Sequence, residues 1–469
     1  MGRFEIVLPD QPVMSLDEWL ALGGGRGLTR AKELGPEATI AELERAGLRG
    51  RGGEGFPIGT KWKTVRSAAG RHRYAVCNAA EGEPGTFKDR AIMRANPYQV
   101  IEGLAIAALT LEAPEVFIAL KASFGPERER VTAAVTEMER AGLVGELSVG
   151  IVAGPEEYLF GEEKALLEVI EGNDPLPRWL PPYVHGLFAT APQLGWQAHE
   201  PEAGHTRGHE SNPTAVNNVE TLANVAHVLA NGADWYRSVG TPESPGTVVC
   251  TVVGDAERAG VVEVEAGTPL RDVLDMFGAP RPGRTVRAVF SGVTSAPLTS
   301  EQFDTPLAFE TFAAAGSGLG AAGFIVYDDT ACMVDVATVL SRFLYVESCG
   351  QCPPCKLGTG GITSALDDIA AGRGTDEHLE SISHWLLVVA DGNRCFLPVE
   401  EQQLVGSILR AFPDDFDAHL HGECTRPHRA VVPKLLDIVD GAAVFDTKQM
   451  RKRPDWTYDP ELSSPTRRN

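Results

Sequence analysis

The chain has 469 residues, 43% hydrophobic and 23% charged, an ordinary composition for a soluble globular protein with room for about two to four cored domains. Forty-two basic against 64 acidic residues give a net charge of −22, which argues against a nucleic-acid partner, since that needs a basic footprint. No apolar run reaches the roughly 18 residues of a spanning helix. The opening MGRFEIVLPDQPVMSLDEWL also lacks a basic segment leading into an apolar core, so no secretion signal or direct membrane insertion is expected. The expectation is a cytoplasmic chain, peripheral to the inner face of a membrane at most through partners.

In chain order, a helix is predicted over 36–47, followed by a glycine-rich loop over 47–62. A buried strand over 73–81 precedes a long apolar helix over 96–113. A strand over 115–120, a helix over 125–142, a strand over 147–154 and a helix over 162–172 continue the alternation. Strands alternating with helices predict βαβ units and a parallel sheet. A proline-rich loop over 173–186 and a polar stretch through His199, His205 and His209 read as a surface insertion. Residues 214–232 return to helix, 245–330 read as a small α+β module, and the rest is mostly helical, including 378–392 and 400–412. The final stretch from 441 reads as an extended tail available to a partner.

The densest chemistry lies in ESCGQCPPCKLGT, where Cys349, Cys352 and Cys355 stand three apart and Cys395 follows forty residues later. CxxCxxC plus one remote cysteine is the pattern of a [4Fe–4S] cluster: a short loop wraps one face and a distant residue closes the site. Structural zinc, the competing reading, more often pairs two CxxC units or mixes in histidine. The proline pair at 353–354 is expected to stiffen the loop.

Three further stretches suit a nucleotide-like ligand. RGRGGEGFPIGTKW carries Gly50, Gly53, Gly55 and Lys61, backbone that can approach a phosphate beside a cation, although a glycine-rich loop alone is more often a plain turn. NAAEGEPGTFKDR follows a predicted strand, where open α/β sheets bind ligands. There Asn78 offers donor and acceptor, and Glu81 and Glu83 offer acceptors for hydroxyls. YLFGEEKAL opens a helix with Gly161, Glu162 and Glu163; complementing helix N-termini is the bland reading of both glutamate pairs.

Those motifs, together with NNVETLAN at 217–224, occur in an order and spacing that resembles the NADH-binding flavoprotein subunit of respiratory complex I. The diaphorase subunits of NAD-linked hydrogenases and formate dehydrogenases share the set. The resemblance spans roughly residues 45–412. It implies an α/β Rossmann-like FMN domain, then a ubiquitin-like β-grasp (SLBB) module, then a C-terminal helical bundle with a [4Fe–4S] cluster. The implied boundaries are 1–244, 245–330 and 331–440, with a tail over 441–469. By resemblance, FMN is held by Gly50, Gly53, Gly55, Lys61, Asn78, Glu81, Gly161, Glu162, Asn217, Asn218 and Thr221. Phe56, Glu83, Glu163 and Tyr183 belong to the NAD pocket. Cys349, Cys352, Cys355 and Cys395 hold the cluster.

Several positions depart from the family pattern: Thr64 for an aromatic, Leu180 for a lysine, Ala321 for a threonine, Ala80 and Gly82 for Asp and Ser, and Glu54 for a small residue. Two readings follow. In one, electrons pass from NAD(P)H through FMN to the cluster and on to other iron–sulfur subunits of a multi-subunit redox complex. In the other, nicotinamide binding is lost and the wire exchanges electrons with a ferredoxin or similar partner. His419, His421 and Cys424 also lie together in HLHGEC and offer metal ligands, although histidines on surface loops are more often solvated.

Overall fold

A computed structural model describes residues 4–191 and 210–458, so the histidines at 199, 205 and 209 lie outside the described residues. Four strands, β1 (Tyr74–Ala79), β2 (Glu115–Lys121), β3 (Ser148–Gly154) and β4 (Thr214–Asn218), form a sheet of order β3-β2-β1-β4. All three pairings are parallel, and β1 and β2 are almost wholly buried, as strands covered on both faces require. One face packs on the helix Pro97–Leu111, itself enclosed by Arg26–Ala46 and Val219–Asn231. Gly103 permits that packing: a Cβ there would stand 1.9 Å from the Leu222 carbonyl oxygen. The other face is covered by Phe160, Leu166, Leu167 and Leu187.

The chain runs outward from β1 to β3 and then crosses back to place β4 on the far side of β1. That reversal opens a crevice at the carboxyl ends of β1 and β4, where Asn78 and Asn218 are register partners.

A second, mixed sheet has order β6-β5-β8-β7, from β5 (Thr247–Gly254), β6 (Gly260–Glu265), β7 (Val286–Ser291) and β8 (Gly323–Asp328). Its central pair is parallel and its flanking pairs antiparallel, with Leu270–Met276 and Phe309–Ala314 packed on one face. Arg51 joins this unit to the first. Its buried guanidinium donates to the Tyr236 hydroxyl and to the carbonyls of Pro245 and Thr247. Helices Met333–Glu347, Pro353–Ala370, Asp376–Val388, Leu397–Ala411 and Pro413–Leu420 then pack around Leu340, Leu344, Ile362, Leu366 and Leu404.

Four expectations change. The predicted helix over 214–232 is the strand β4 followed by the helix Val219–Asn231, because no glycine or proline separates two apolar segments. Asn218 marks the join, its side chain accepting from the Glu220 N–H as helix cap. The loop over 47–62 ends early: Gly59, Lys61 and Trp62 lie on the helix Ile58–Ser67, which begins after Pro57. The predicted 36–47 helix is the second half of Arg26–Ala46, kinked at Gly35 (φ 73°) and Pro36. The tail folds on its own chain: β9 (Leu435–Val439) and β10 (Ala442–Phe445) form a ribbon, and residues to Tyr458 wrap the helices. Arg94 holds Asp437 at 2.8 Å, and Trp456 donates to the Glu347 carbonyl.

Candidate functional site

The crevice opens into a cleft of about 860 Å³. Every flavin-side residue the sequence singled out lines it: Gly50, Gly53, Gly55, Lys61, Asn78, Glu81, Gly161, Glu162, Asn217, Asn218 and Thr221. Phe56, Glu83 and Glu163 line it as well; Tyr183 does not, lying 45% exposed outside the lining. The second sheet adds Thr294, Ser295 and Gly320, and the helical region adds Cys395, Phe396 and Glu400. A groove of about 980 Å³ beside the helix Arg26–Ala46 contains none of the motif residues.

Local folding explains how these groups are aimed. Gly53 and Gly55 have φ of 124° and 64°, a region open to glycine, so the loop turns its backbone toward the cleft. A Cβ on Gly53 would meet nothing closer than 4.0 Å, so space for a ligand lies directly against the backbone. Lys61 donates to Glu163 at 3.0 Å and to the Val216 carbonyl at 2.8 Å. The Thr221 hydroxyl accepts from the Arg51 N–H, and Asn218 bridges Lys88 and Asp89.

Asn217 is the telling member. Its Oδ1 accepts from the buried Trp62 indole at 3.2 Å, which fixes the amide, while its buried Nδ2 has no partner among the described residues. A buried donor left without an acceptor costs about 1–3 kcal/mol. A ligand acceptor in the cleft would remove that cost, so the residues present fit a hydrogen-bonding heterocycle.

The carboxylates also serve the helices. Glu81 accepts from the Asp89 and Arg90 N–H groups, and Glu162 from those of Lys164 and Ala165. The helix-capping reading therefore holds for both without removing them from the cleft. Burial and the neighbouring Asp89 push Glu81 up to about 8. Burial pushes Glu83 and Glu162 up to about 7 each.

Cys349, Cys352, Cys355 and Cys395 line one small pocket beside the cleft. The proline pair does more than stiffen: Pro353 and Pro354 start the helix Pro353–Ala370, with Cys352 as its cap and Cys355 in its first turn. Cys395 stands just before the helix Leu397–Ala411. Two positive helix ends thus meet a pocket whose four thiolates would bring negative charge, and Lys356 donates to the carbonyl of Ser348 in its wall. Leu159, Asn393, Arg394, Cys395 and Leu397 line both the cleft and the cysteine pocket, so one layer of residues separates them. Within the cleft wall the Tyr158 hydroxyl donates to Glu400 at 3.0 Å.

Tyr158, Glu400, Arg394 and Trp179 line the cleft without having been expected there. Tyr158 opens the YLFGEEKAL motif, Arg394 directly precedes Cys395 and Trp179 directly precedes Leu180; of the four, Glu400 comes from a segment without a local signature.

A cleft at the switch point of a parallel sheet, sharing a wall with a pocket lined by four cysteines, is the arrangement of a flavin and iron–sulfur electron-transfer protein. Comparison agrees. Residues 43–227 match the Nuo51 FMN-binding domain family, and residues 335–419 match the iron–sulfur binding region of NADH-ubiquinone oxidoreductase F. The F 2 subunit of NADH-quinone oxidoreductase from Rhizobium meliloti is 36% identical over 88% of this chain and 96% of its own. The HndC subunit of an NADP-reducing hydrogenase from Solidesulfovibrio fructosivorans is 32% identical over 87% of this chain and 81% of its own. A chain of an NAD+-reducing [NiFe]-hydrogenase in the air-oxidized state superposes with a TM-score of 0.74 at 32% identity, over 87% of this chain and 67% of its own. The chain belongs to the family of NADH-quinone oxidoreductase F subunits. It is an oxidoreductase subunit of the NADH dehydrogenase type, passing electrons from NAD(P)H through FMN to a [4Fe–4S] cluster.

Proposed function

We propose that this chain takes electrons from a nicotinamide nucleotide at the mouth of the cleft and delivers them through its cluster to iron–sulfur subunits of a larger redox complex. The observation that carries the proposal is the shared wall between the cleft and the cysteine pocket. Electron tunnelling falls steeply with distance, and a single residue layer keeps donor and acceptor close.

Bound FMN converts a two-electron donation into single-electron steps, and the cluster carries electrons one at a time. The chain supplies position. Asn217 and Asn78 address a heterocycle, the Gly50–Gly55 backbone and Lys61 a phosphate, and Glu81 and Glu162 the hydroxyls between them. Cys349, Cys352, Cys355 and Cys395 hold the cluster. Glu83 and Glu163 orient the nicotinamide and its ribose. Phe56 and Trp179, 47% and 41% exposed, present aromatic faces at the cleft, and the Arg394 guanidinium lies 5.4 Å from the Trp179 ring centre.

A loss of nicotinamide binding would follow from the departures at Thr64, Leu180 and Ala321 if those side chains faced the ligand. None of these three lines the cleft, whereas Trp179, Pro181 and Gly320 beside them do; the departures at Glu54, Ala80 and Gly82 do line it. Phe56→Ala is expected to raise the KM for NADH about fivefold, the equivalent of about 1 kcal/mol of ring stacking, with kcat and flavin content little changed. Steady-state reduction of a one-electron dye checks it; an unchanged KM would place the nucleotide elsewhere.

The domain reading of 1–244, 245–330 and 331–440 is supported by the two four-stranded sheets and the helical region, whereas the boundary before 441–469 falls inside the β9–β10 ribbon. A central parallel pair flanked by antiparallel strands, crossed by Leu270–Met276, supports a β-grasp (SLBB) module, and the packed helices after it support a cluster-bearing bundle. Among the described residues no helix is long and apolar enough to cross a membrane, which suits a cytoplasmic subunit attached through its partners.

A further inference from the structure

We propose that Cys332, His419, Cys424 and His428 form a structural zinc site, separate from the four-cysteine cage. One ligand atom from each of the four lies within 4.8 Å of all the others. Around tetrahedral zinc, with Zn–S near 2.3 Å and Zn–N near 2.0–2.1 Å, ligand atoms stand roughly 3.3–3.8 Å apart. The present set is therefore within about an ångström of closure. Cys332 Sγ and His419 Nε2, from positions 87 residues apart, are already 3.2 Å from each other.

The surroundings fit a metal better than a chance meeting of side chains. His419 Nδ1 faces the Ile369 carbonyl oxygen at 3.2 Å. Donation from Nδ1 to that carbonyl leaves the Nε2 lone pair turned toward Cys332, the outer-shell arrangement that orients metal-binding histidines. The His419 and His428 rings stack with centres 5.0 Å apart. Cys332 caps the helix Met333–Glu347 and His419 sits in the last turn of Pro413–Leu420, so two ligands ride on packed helices. Cys424 and His428 come from the following loop, pinned by Arg426 on Asp415 at 3.1 Å and by the Ala430 N–H on Asp335 at 2.8 Å. His421, in the same sequence run, takes no part: it is exposed and turned to the Asp417 carbonyl.

Two thiolates and two neutral imidazoles are a borderline-soft set that selects zinc over hard cations, and they neutralise a divalent ion. Binding releases the two thiol protons to solvent. All four positions are protein ligands, so no site remains for a reacting water and the role is structural. The ion would clamp the loop that leads into the tail wrapped over the helices of the cysteine pocket.

The test is elemental analysis of the full-length, flavin- and iron-loaded chain, purified without a histidine tag after brief incubation with stoichiometric zinc sulfate. About one zinc per chain is expected beside about four irons, with two sulfur and two nitrogen neighbours at the zinc X-ray absorption edge. Cys424→Ala and His428→Ala are expected to lower zinc content at least tenfold while iron and flavin remain. His428→Cys, which gives another known zinc set, keeps the metal and separates ligation from misfolding. An iron-complete chain without zinc, a zinc edge with four sulfur neighbours, or zinc content indifferent to both alanine variants would overturn the proposal.

Discussion

Cys395→Ala is expected to abolish the cluster while sparing the flavin cleft. Removing outer-shell partners of a metal ligand already costs about 10–100-fold in affinity, and a direct ligand costs more. Iron and sulfide content should fall to a small fraction of about four per chain, and the electron paramagnetic resonance of the reduced cluster should vanish. Cys395 lines the cleft as well as the cysteine pocket, but the asparagines and glycines proposed to address the flavin belong to other segments. NADH should therefore still reduce the flavin at close to the native rate, and electrons should stop there. A variant that keeps its cluster would remove Cys395 from the ligand set.

The second large effect is expected at Lys452. Its ammonium lies 3.0 Å from both oxygens of Glu347, and both side chains are fully buried. Glu347 also accepts from Gln449 and from the Tyr158 N–H, and it stands two residues before Cys349. Removing one partner of a buried pair strands the other charge, at a cost of about 3–5 kcal/mol; Lys452→Met should fall near the lower end because those two donors remain. Replacing both partners, Glu347→Gln with Lys452→Met, should recover much of the loss. Denaturant midpoints check both. Equal destabilisation in the single and double variants would show that the pair itself is not what fastens the tail.

The tail also shows where the sequence stops being legible. DTKQMRKRPDWTYDP is charged and without periodicity, the composition of a solvated segment. Nothing local announces that Lys452 is buried, because its partner is 105 residues earlier. The same holds for Cys332: HLHGEC displays His419 and Cys424 together, but nothing in it points to a cysteine 87 residues before His419. Glu400 and Arg394 reach the cleft only because the helical region folds back against the first sheet. By contrast, the buried strands β1 and β2 follow from unbroken apolar runs, and the cysteine spacing carries its chemistry in one line of sequence. β4 reads as helix because a five-residue buried strand running into an apolar helix has no periodicity of its own.

On the function proposed above, the cleft and the cysteine pocket form one wire fed by a nicotinamide nucleotide. An anaerobic NADH titration of the flavin- and cluster-loaded chain, followed by visible absorbance and low-temperature electron paramagnetic resonance, tests it most directly. The flavin absorbance should bleach and the signal of a reduced [4Fe–4S] cluster should grow in the same titration. Reduction of both centres by dithionite while NADH leaves both oxidised would show that the nucleotide does not feed this wire.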